Sequence, residues 1–435
     1  MAVHVVGSIE ARDFGSLVVR IGDLNADGAP DLLFVQSAYG SREIRCLTAT
    51  TVQGDRLWQA GLPSAENGRV YSDLPVQICD WDNDGRNEVL YVRQAEYLEP
   101  IEYGEDRIRE RARRYGGPAT LAVLDGRTGQ EQAALPLPAP ADDCLVIADL
   151  TGRGRAEDFV VKDRYWNMWG VARTGEVLWH WGGSTGHYPA VADVDNDGRD
   201  EVFVGFTLLD HDGRVLFDHH PRGGDPDPHS DANCIARLPD GQWRLLFGNH
   251  GVHCLAADGT ELWGHRLQEA QHVVAGRFRG DSPLQVAVID RGFPRTPQGR
   301  PADLYLYDLE TGREIWKRPQ PAGCWGAECM DIRWTGRPDR QEILVKRGML
   351  QPDAVYDGDG NVVDEMEVPA VYCGTYHDPT LMQENPGIHF AFRGDLWGDS
   401  REEVILAGWK GAGIYANSRA PAHPARCNAT VYHGP

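Results

Sequence analysis

No run in this sequence approaches the ~18 to 20 consecutive apolar residues that span a bilayer as a helix. The opening MAVHVVGSIEARDFG has neither the basic nor the apolar region of a signal peptide. The chain therefore reads as soluble, with a cytoplasmic location favoured over that of a secreted protein whose signal was trimmed. Basic charge is scarce too: 43 Lys and Arg stand against 65 Asp and Glu, a formal charge of −22. That balance argues against nucleic acid as a partner, because phosphate needs a basic footprint. Nine cysteines at irregular spacing in 435 residues make no disulfide framework.

What the chain has in abundance is punctuation. Its 50 glycines and 27 prolines are dispersed among 13 Trp, 15 Tyr and 11 Phe, the composition of many short strands joined by turns. One phrase recurs: an apolar run, an acidic glycine-containing loop, and a second apolar run. The clear copies are VVRIGDLNADGAPDLLFV, VQICDWDNDGRNEVLYV, LVIADLTGRGRAEDFVV and AVADVDNDGRDEVFV. Fainter ones follow as CIARLPDGQWRLLF, VAGRFRGDSPLQVAVI, MDIRWTGRPDRQEILV and FAFRGDLWGDSREEVIL. After most copies comes a second hairpin signal, as in LAVLDGRTGQEQAAL or YLYDLETGREIW.

Two hairpins per unit make a four-stranded antiparallel sheet. Its repetition every ~40 to 65 residues predicts an all-β, eight-bladed β-propeller in one domain over residues 1–435. Seven blades is the fallback if a terminal unit is partial. Blades are expected to start near residues 15, 74, 142, 187, 229, 271, 325 and 387, and the N-terminal strand is expected to complete the last one.

Three loops share the spacing D-x-[DN]-x-D-G-x-x-[DE]: Asp23, Asn25, Asp27 and Asp31; Asp80, Asp82, Asp84 and Glu88; Asp193, Asp195, Asp197 and Glu201. Alternating oxygen side chains on a tight turn suit a hard cation, and Ca²⁺ is the natural candidate. Asp, Asn and Gly also make good turns without any ion. Such ions would stabilise the turn between the first two strands rather than do chemistry. Cys324, Cys329, Cys373 and His377 form C-x4-C and C-x3-H pairs that suggest a Zn²⁺ site, against the simpler reading of buried reduced thiols.

Chemistry is expected on the opposite rim, where first strands begin and second strands end. Counting back from the acidic position puts Asp143, His187, Asp231, Trp325 and His389 in one phase, with Tyr188 beside His187 and with His229 and His272 in the same parity. The ends of the second strands carry Arg93, Arg164 with Tyr165, His250, Arg291, Arg347 and Lys410. Basic groups recurring there in an acidic protein point to an anionic ligand. Insertions at 94–118, 217–228, 292–303 and 364–387 cross the same rim, and the first holds an arginine-rich stretch, EDRIRERARRYG, that suggests a short helix.

These features resemble the β-propeller polysaccharide lyases. The repeated loops and the stretch LLDHDGRVLFDHH...PHSDANC resemble rhamnogalacturonan lyases, and the spacing of 21 residues between His229 and His250 is similar to the paired histidines of ulvan lyases and rhamnosyl-glucuronate lyases. The resemblance implies β-elimination next to a uronic acid in a rhamnose-containing acidic polysaccharide or oligosaccharide. A cation neutralises the carboxylate, a base takes the C5 proton and an acid protonates the leaving oxygen. It implies His250 or His229 as base, the other as acid or carboxylate partner, Arg291 or Arg347 as neutraliser, and Tyr165 or Tyr188 as proton donor. His187, Tyr188, His272, Arg93, Arg164, Trp325, Arg347, His389 and Lys410 would line the substrate site. The family's Tyr and Arg are not found at their usual spacing after the histidine pair, so the acid and the neutraliser stay open. Two other readings compete: a calcium-stabilised propeller that binds glycan or protein without catalysis, and a hydrolase using carboxylates such as Asp143 and Asp231.

Overall fold

The computed structural model describes residues 3–38, 42–64, 73–94, 118–141, 143–163, 166–219, 230–280, 284–292, 300–326, 328–348, 351–367, 369, 372–378, 383–399 and 401–417, with the backbone alone over 374–388. Each copy of the repeated phrase folds with its following hairpin as a four-stranded antiparallel sheet, and eight such sheets form an eight-bladed β-propeller. No helix occurs among the described residues. The inner strands of blades 1 to 8 are Val18–Gly22, Val76–Cys79, Leu145–Ala148, Ala190–Ala192, Ala232–Arg237, Ala270–Gly276, Glu328–Ile332 and Phe390–Gly394. From blade 8 through blade 1 to blade 7 each touches the next around the axis. The N-terminal strand His4–Glu10 pairs with Gly411–Ala416 as the outermost strand of blade 8, so main-chain hydrogen bonds close the ring. One extra hairpin, Gly374–Asp378 with Gln383–Ile388, lies between blades 7 and 8.

Burial is greatest on the second strands and falls toward the outer ones, while the inner strands of blades 4 and 5 are partly exposed. Second strands such as Asp31–Ser37 and Glu403–Gly408 are buried at every position because neighbouring blades cover both faces. Outer strands such as Glu131–Leu137 and Glu261–Arg266 alternate, one face wet. The core therefore lies between blades: Val19, Ile21 and Phe34 of blade 1 pack with Phe392, Ile405 and Ile414 of blade 8. The tryptophans on four of the outer strands have a definite job. Trp58, Trp179, Trp263 and Trp316 on outer strands donate their indole N–H to the carbonyls of Gly126, His211, Leu309 and Gly358, in the outer turn of the next blade, at 2.6 to 2.9 Å. Gly129 in that turn has φ 67°, and a Cβ there would lie 2.4 Å from the Trp58 ring, so the close approach of ring to backbone requires glycine.

The acidic loops connect first to second strands as read. In each of blades 1, 2 and 4 the acid that opens the second strand reaches back to cap the turn: Asp31 Oδ2 accepts from Leu24 and Asn25 N–H, Glu88 Oε2 from Trp81, and Glu201 Oε2 from Val194 and Asp195. In blade 6 neutral Gln285 does the same for Phe278 and Arg279 at 2.8 and 2.7 Å. The capping role needs only an acceptor. The full run of oxygen side chains marks blades 1, 2 and 4 apart.

Candidate active site at the channel mouth

Two sets of side chains meet where the inner strands begin. On the side of blades 1 to 4 lies a buried charge network. Arg42 bridges Asp73 and Asp143, Lys162 also pairs with Asp143, and His187 Nδ1 is 3.2 Å from Asp73 Oδ2. Two carboxylates there face an arginine and a lysine, so removing either basic side chain would strand a buried charge. Burial, with Asp73 beside it, raises the Asp143 pKa to about 7 against the pull of Lys162 and Arg42.

On the side of blades 5 to 8 the cations pack on aromatic rings. The Arg291 guanidinium carbon lies 4.8 Å from the Trp325 ring centre, and its Nη1 donates to Glu269 at 2.9 Å and Gln271 at 2.7 Å. Gln271 in turn donates to Asp231 at 3.0 Å. Lys346 Nζ lies 5.8 Å from the same Trp325 ring and also against Phe390. Its nearest carboxylate oxygen is Glu328 Oε1, at 4.0 Å. Burial lowers the Lys346 pKa to about 8, because an ammonium without water or a close anion is costly.

Tyr188 and His272 join the two halves. Their rings meet edge to face at 6.5 Å, and the His187 ring is 6.2 Å from Tyr188. Both Tyr188 and His272 line a cavity of about 280 Å³ that follows the inner strands of blades 4 to 8 past Ala232, Ile235, Val274 and Met330 to Asp331 and Arg393. Arg393 closes its inner end, bonded to Asp331 at 2.6 Å and Glu402 at 2.7 Å. His272 Nδ1 sits 2.5 Å from the Cys329 carbonyl. A carbonyl only accepts, so Nδ1 carries the proton and Nε2 is left as a base. Burial pushes the His272 pKa down, which keeps the ring neutral.

The remaining described residues read from the sequence make other contacts. His250 is exposed at the end of its strand, with Nδ1 2.8 Å from the Gln268 carbonyl. Arg347 is buried and bound to Gln320, Pro352, Glu365 and Tyr356. His389 is buried against Asp353 at 2.9 Å. Arg93 is half-buried and pairs with Glu131 on the outer strand of its blade, and Lys410 is exposed in a turn of blade 8. His229, Arg164, Tyr165 and the arginine-rich stretch at 105–116 lie outside the described residues. Cys324 donates to the Arg347 carbonyl and Cys329 to those of His272 and Ala287, at 3.6 to 3.8 Å, and the His377 side chain lies outside the described residues. The sequence reading missed Lys346, Lys162, Arg42 and Asp73. Strand-end position was a usable signal for the two lysines; for Arg42 and Asp73 there was none.

At the opposite rim, Asp193, Asp195 and Asp197 bring ligand oxygens within 4.8 Å of one another, as do Asp80, Asp82 and Glu88. Asp193 Oδ1 and Glu201 Oε1 are buried and lack a hydrogen-bond partner. Burial raises the pKa of Asp31 to about 6 and those of Glu88 and Glu201 to about 7. Orphaned, desolvated carboxylate oxygens on a tight turn are what a hard cation would satisfy.

No protein-family model matches the chain. Two curated proteins of Bacillus subtilis (strain 168) do: the rhamnogalacturonan exolyase YesX, 22% identical over 95% of this chain and 72% of its own length, and the rhamnogalacturonan endolyase YesW, 25% identical over 91% of this chain and 66% of its own. The crystal structures of YesX and YesW superpose with TM-scores of 0.63 and 0.61, at 18% and 19% identity, over 96% of this chain and 74% and 73% of theirs. BamB from Moraxella catarrhalis follows at a TM-score of 0.56 and 11% identity, over 95% of this chain and all of its own, so the fold by itself does not select an activity. At low identity, the chain is related to rhamnogalacturonan lyases.

Proposed function

We propose that this protein is a polysaccharide lyase that cleaves a rhamnose-containing acidic glycan beside a uronic acid by β-elimination at the channel mouth. The observation that carries the reading is the Tyr188 and His272 pair on the cavity wall, a phenol facing an imidazole whose tautomer is fixed. The similarity to two lyases along almost the whole chain supports it. In this reading Trp325 gives a sugar ring a flat platform, and Arg291 meets the uronate carboxylate. Charge developing at that carboxylate makes the C5 proton removable, so the cation must be in place beforehand. His272 Nε2 accepts the C5 proton, the C4–O bond breaks, the C4=C5 double bond forms, and Tyr188 protonates the departing oxygen. A net charge of −22 repels an acidic polymer at long range. Beyond a Debye length of ~8 Å that field is screened, and the mouth cations decide contact. The test is incubation with rhamnogalacturonan, ulvan and a rhamnosyl-glucuronate glycan while following the ultraviolet absorbance of the new double bond. Absorbance should rise with at least one of them. No rise with any, Ca²⁺ present, overturns the reading, and glycan binding without a rise would leave a binding propeller.

The same reading includes Ca²⁺ at the turns of blades 1, 2 and 4 as a stabilising ion. The raised pKa values give a signed expectation. Folded Asp31, Glu88 and Glu201 hold protons that the unfolded chain releases near its ordinary carboxylate values of ~4 to 4.5, so without a cation their contribution to stability falls as pH rises from there to about 7. A bound cation offsets the charge they then carry. Ca²⁺ should therefore raise the melting temperature of chelator-treated protein much more at about pH 8 than at about pH 5. An equal rise at both, or none, would count against ions at these turns.

A further inference from the structure

The three acidic turns are not alike. In blade 4 alone, among the described residues, an imidazole joins the carboxylates: ligand atoms of Asp197, Glu201 and His211 lie within 4.8 Å of one another. His211 comes from the blade's other hairpin. Its carbonyl accepts the Trp179 indole N–H at 2.8 Å, and the carbonyl in the same place in blade 2 belongs to Gly126, which accepts from Trp58. Where blade 4 has a ring over its acidic turn, blade 2 has no side chain, and the ligands it offers are Asp80, Asp82 and Glu88. His211 Nδ1 is turned toward the loop, 3.7 Å from Asp197 Oδ2. It also pairs with Asp210 Oδ1 at 2.7 Å, an oxygen that takes the backbone N–H of His211 as well, at 2.9 Å. Asp193 Oδ1 and Glu201 Oε1 are buried without partners in the same turn, and Glu201 is wholly buried. Two carboxylate oxygens of this turn thus have nothing in the protein to satisfy them, and an imidazole nitrogen lies within ligand distance of the wholly buried Glu201.

We propose that the blade 4 turn is a mixed oxygen and nitrogen site, in which His211 Nδ1 joins Asp193, Asp197 and Glu201, and that it takes a borderline divalent cation such as Zn²⁺. Ca²⁺ prefers oxygen ligands alone, whereas imidazole with carboxylate suits Zn²⁺ and its first-row neighbours. The inference rests on the reading that these turns take cations and adds a difference between blades. On binding, the ring proton resides on Nε2, and exposed Arg199, whose Nη1 is 2.7 Å from that nitrogen, swings outward, which also takes its positive charge away from the ion. The bound ion ties the two hairpins of blade 4 together and, through Trp179, to blade 3.

The experiment uses the full chain, stripped by chelation and titrated with Co²⁺ as a coloured stand-in, followed by competition with Zn²⁺ in a calorimeter and by a separate Ca²⁺ titration. Wild-type protein should bind one equivalent of Co²⁺ with a visible band, displaced by Zn²⁺. His211→Gly, which copies blade 2, should weaken Zn²⁺ and Co²⁺ at least ~10-fold, leaving Ca²⁺ binding by the blade 2 turn as in wild type. His211→Asn, which keeps a polar side chain should glycine loosen the turn, should do the same. Variants that bind Zn²⁺ and Co²⁺ as tightly as wild type overturn the proposal. Absence of Ca²⁺ binding would instead sink the calcium reading of blades 1 and 2 and leave the Zn²⁺ result to be judged by itself.

Discussion

Replacing His272 with Asn is expected to lower kcat/KM for uronate glycan cleavage by ~10² to 10⁴ while the protein stays folded. The side chain is only 9% exposed, so the choice of replacement matters. Asn keeps an N–H where Nδ1 meets the Cys329 carbonyl, and what it removes is the lone pair on Nε2. His272→Ala would remove the donor as well and mix a folding cost of ~1 to 3 kcal/mol into the result. Burial, with Lys346 adding to it, depresses the His272 pKa against the opposing pull of Glu328 and Asp331. The base is therefore already unprotonated below its ordinary value of ~6.5, and the acid limb of the wild-type pH profile should lie below that point. A His272→Asn enzyme with activity within a few-fold of wild type would remove His272 from the chemistry, and Tyr188→Phe would then show whether the cavity wall takes part at all.

The architecture was legible because it is local and repeated. A phrase with two apolar runs about a glycine turn dictates a hairpin wherever it occurs, and eight copies leave little freedom in how the hairpins stack. The site was legible only in part, for two physical reasons. Parity along a strand says which face a side chain takes but not what covers it: His389 shares the phase of His187 and Trp325, yet Asp353 and neighbouring strands bury it. Parity is also unforgiving of a one-residue error. Arg347 was read as the basic end of its strand, but Lys346 is the residue packed on Trp325 and Phe390, and its neighbour turns to the other side to bind Gln320 and Tyr356. Asp73 gave no signal whatever, because Arg42 and His187, the groups it binds, lie 31 and 114 residues away in the chain.

Arg291→Met should lower kcat/KM by ~10² to 10³, the usual size of losing one preorganised group that stabilises developing charge. Methionine keeps much of the contact with Trp325 and removes only the cation, so the loss reports charge rather than packing. Arg291→Lys should restore little. The guanidinium is placed by three contacts at once, with Glu269 and Gln271 on Nη1 and the Trp325 face at 4.8 Å, and a lysine ammonium has no planar face to lay on Trp325 while it donates to both. If neutralisation at the transition state is its role, the loss should fall mainly on kcat. A rise in KM with kcat unchanged would make Arg291 a ground-state contact and pass the role to another mouth cation. Lys346 is then next in line, since it packs on the same ring, and its pKa of about 8 would show as a basic limb in the pH profile that Lys346→Met abolishes.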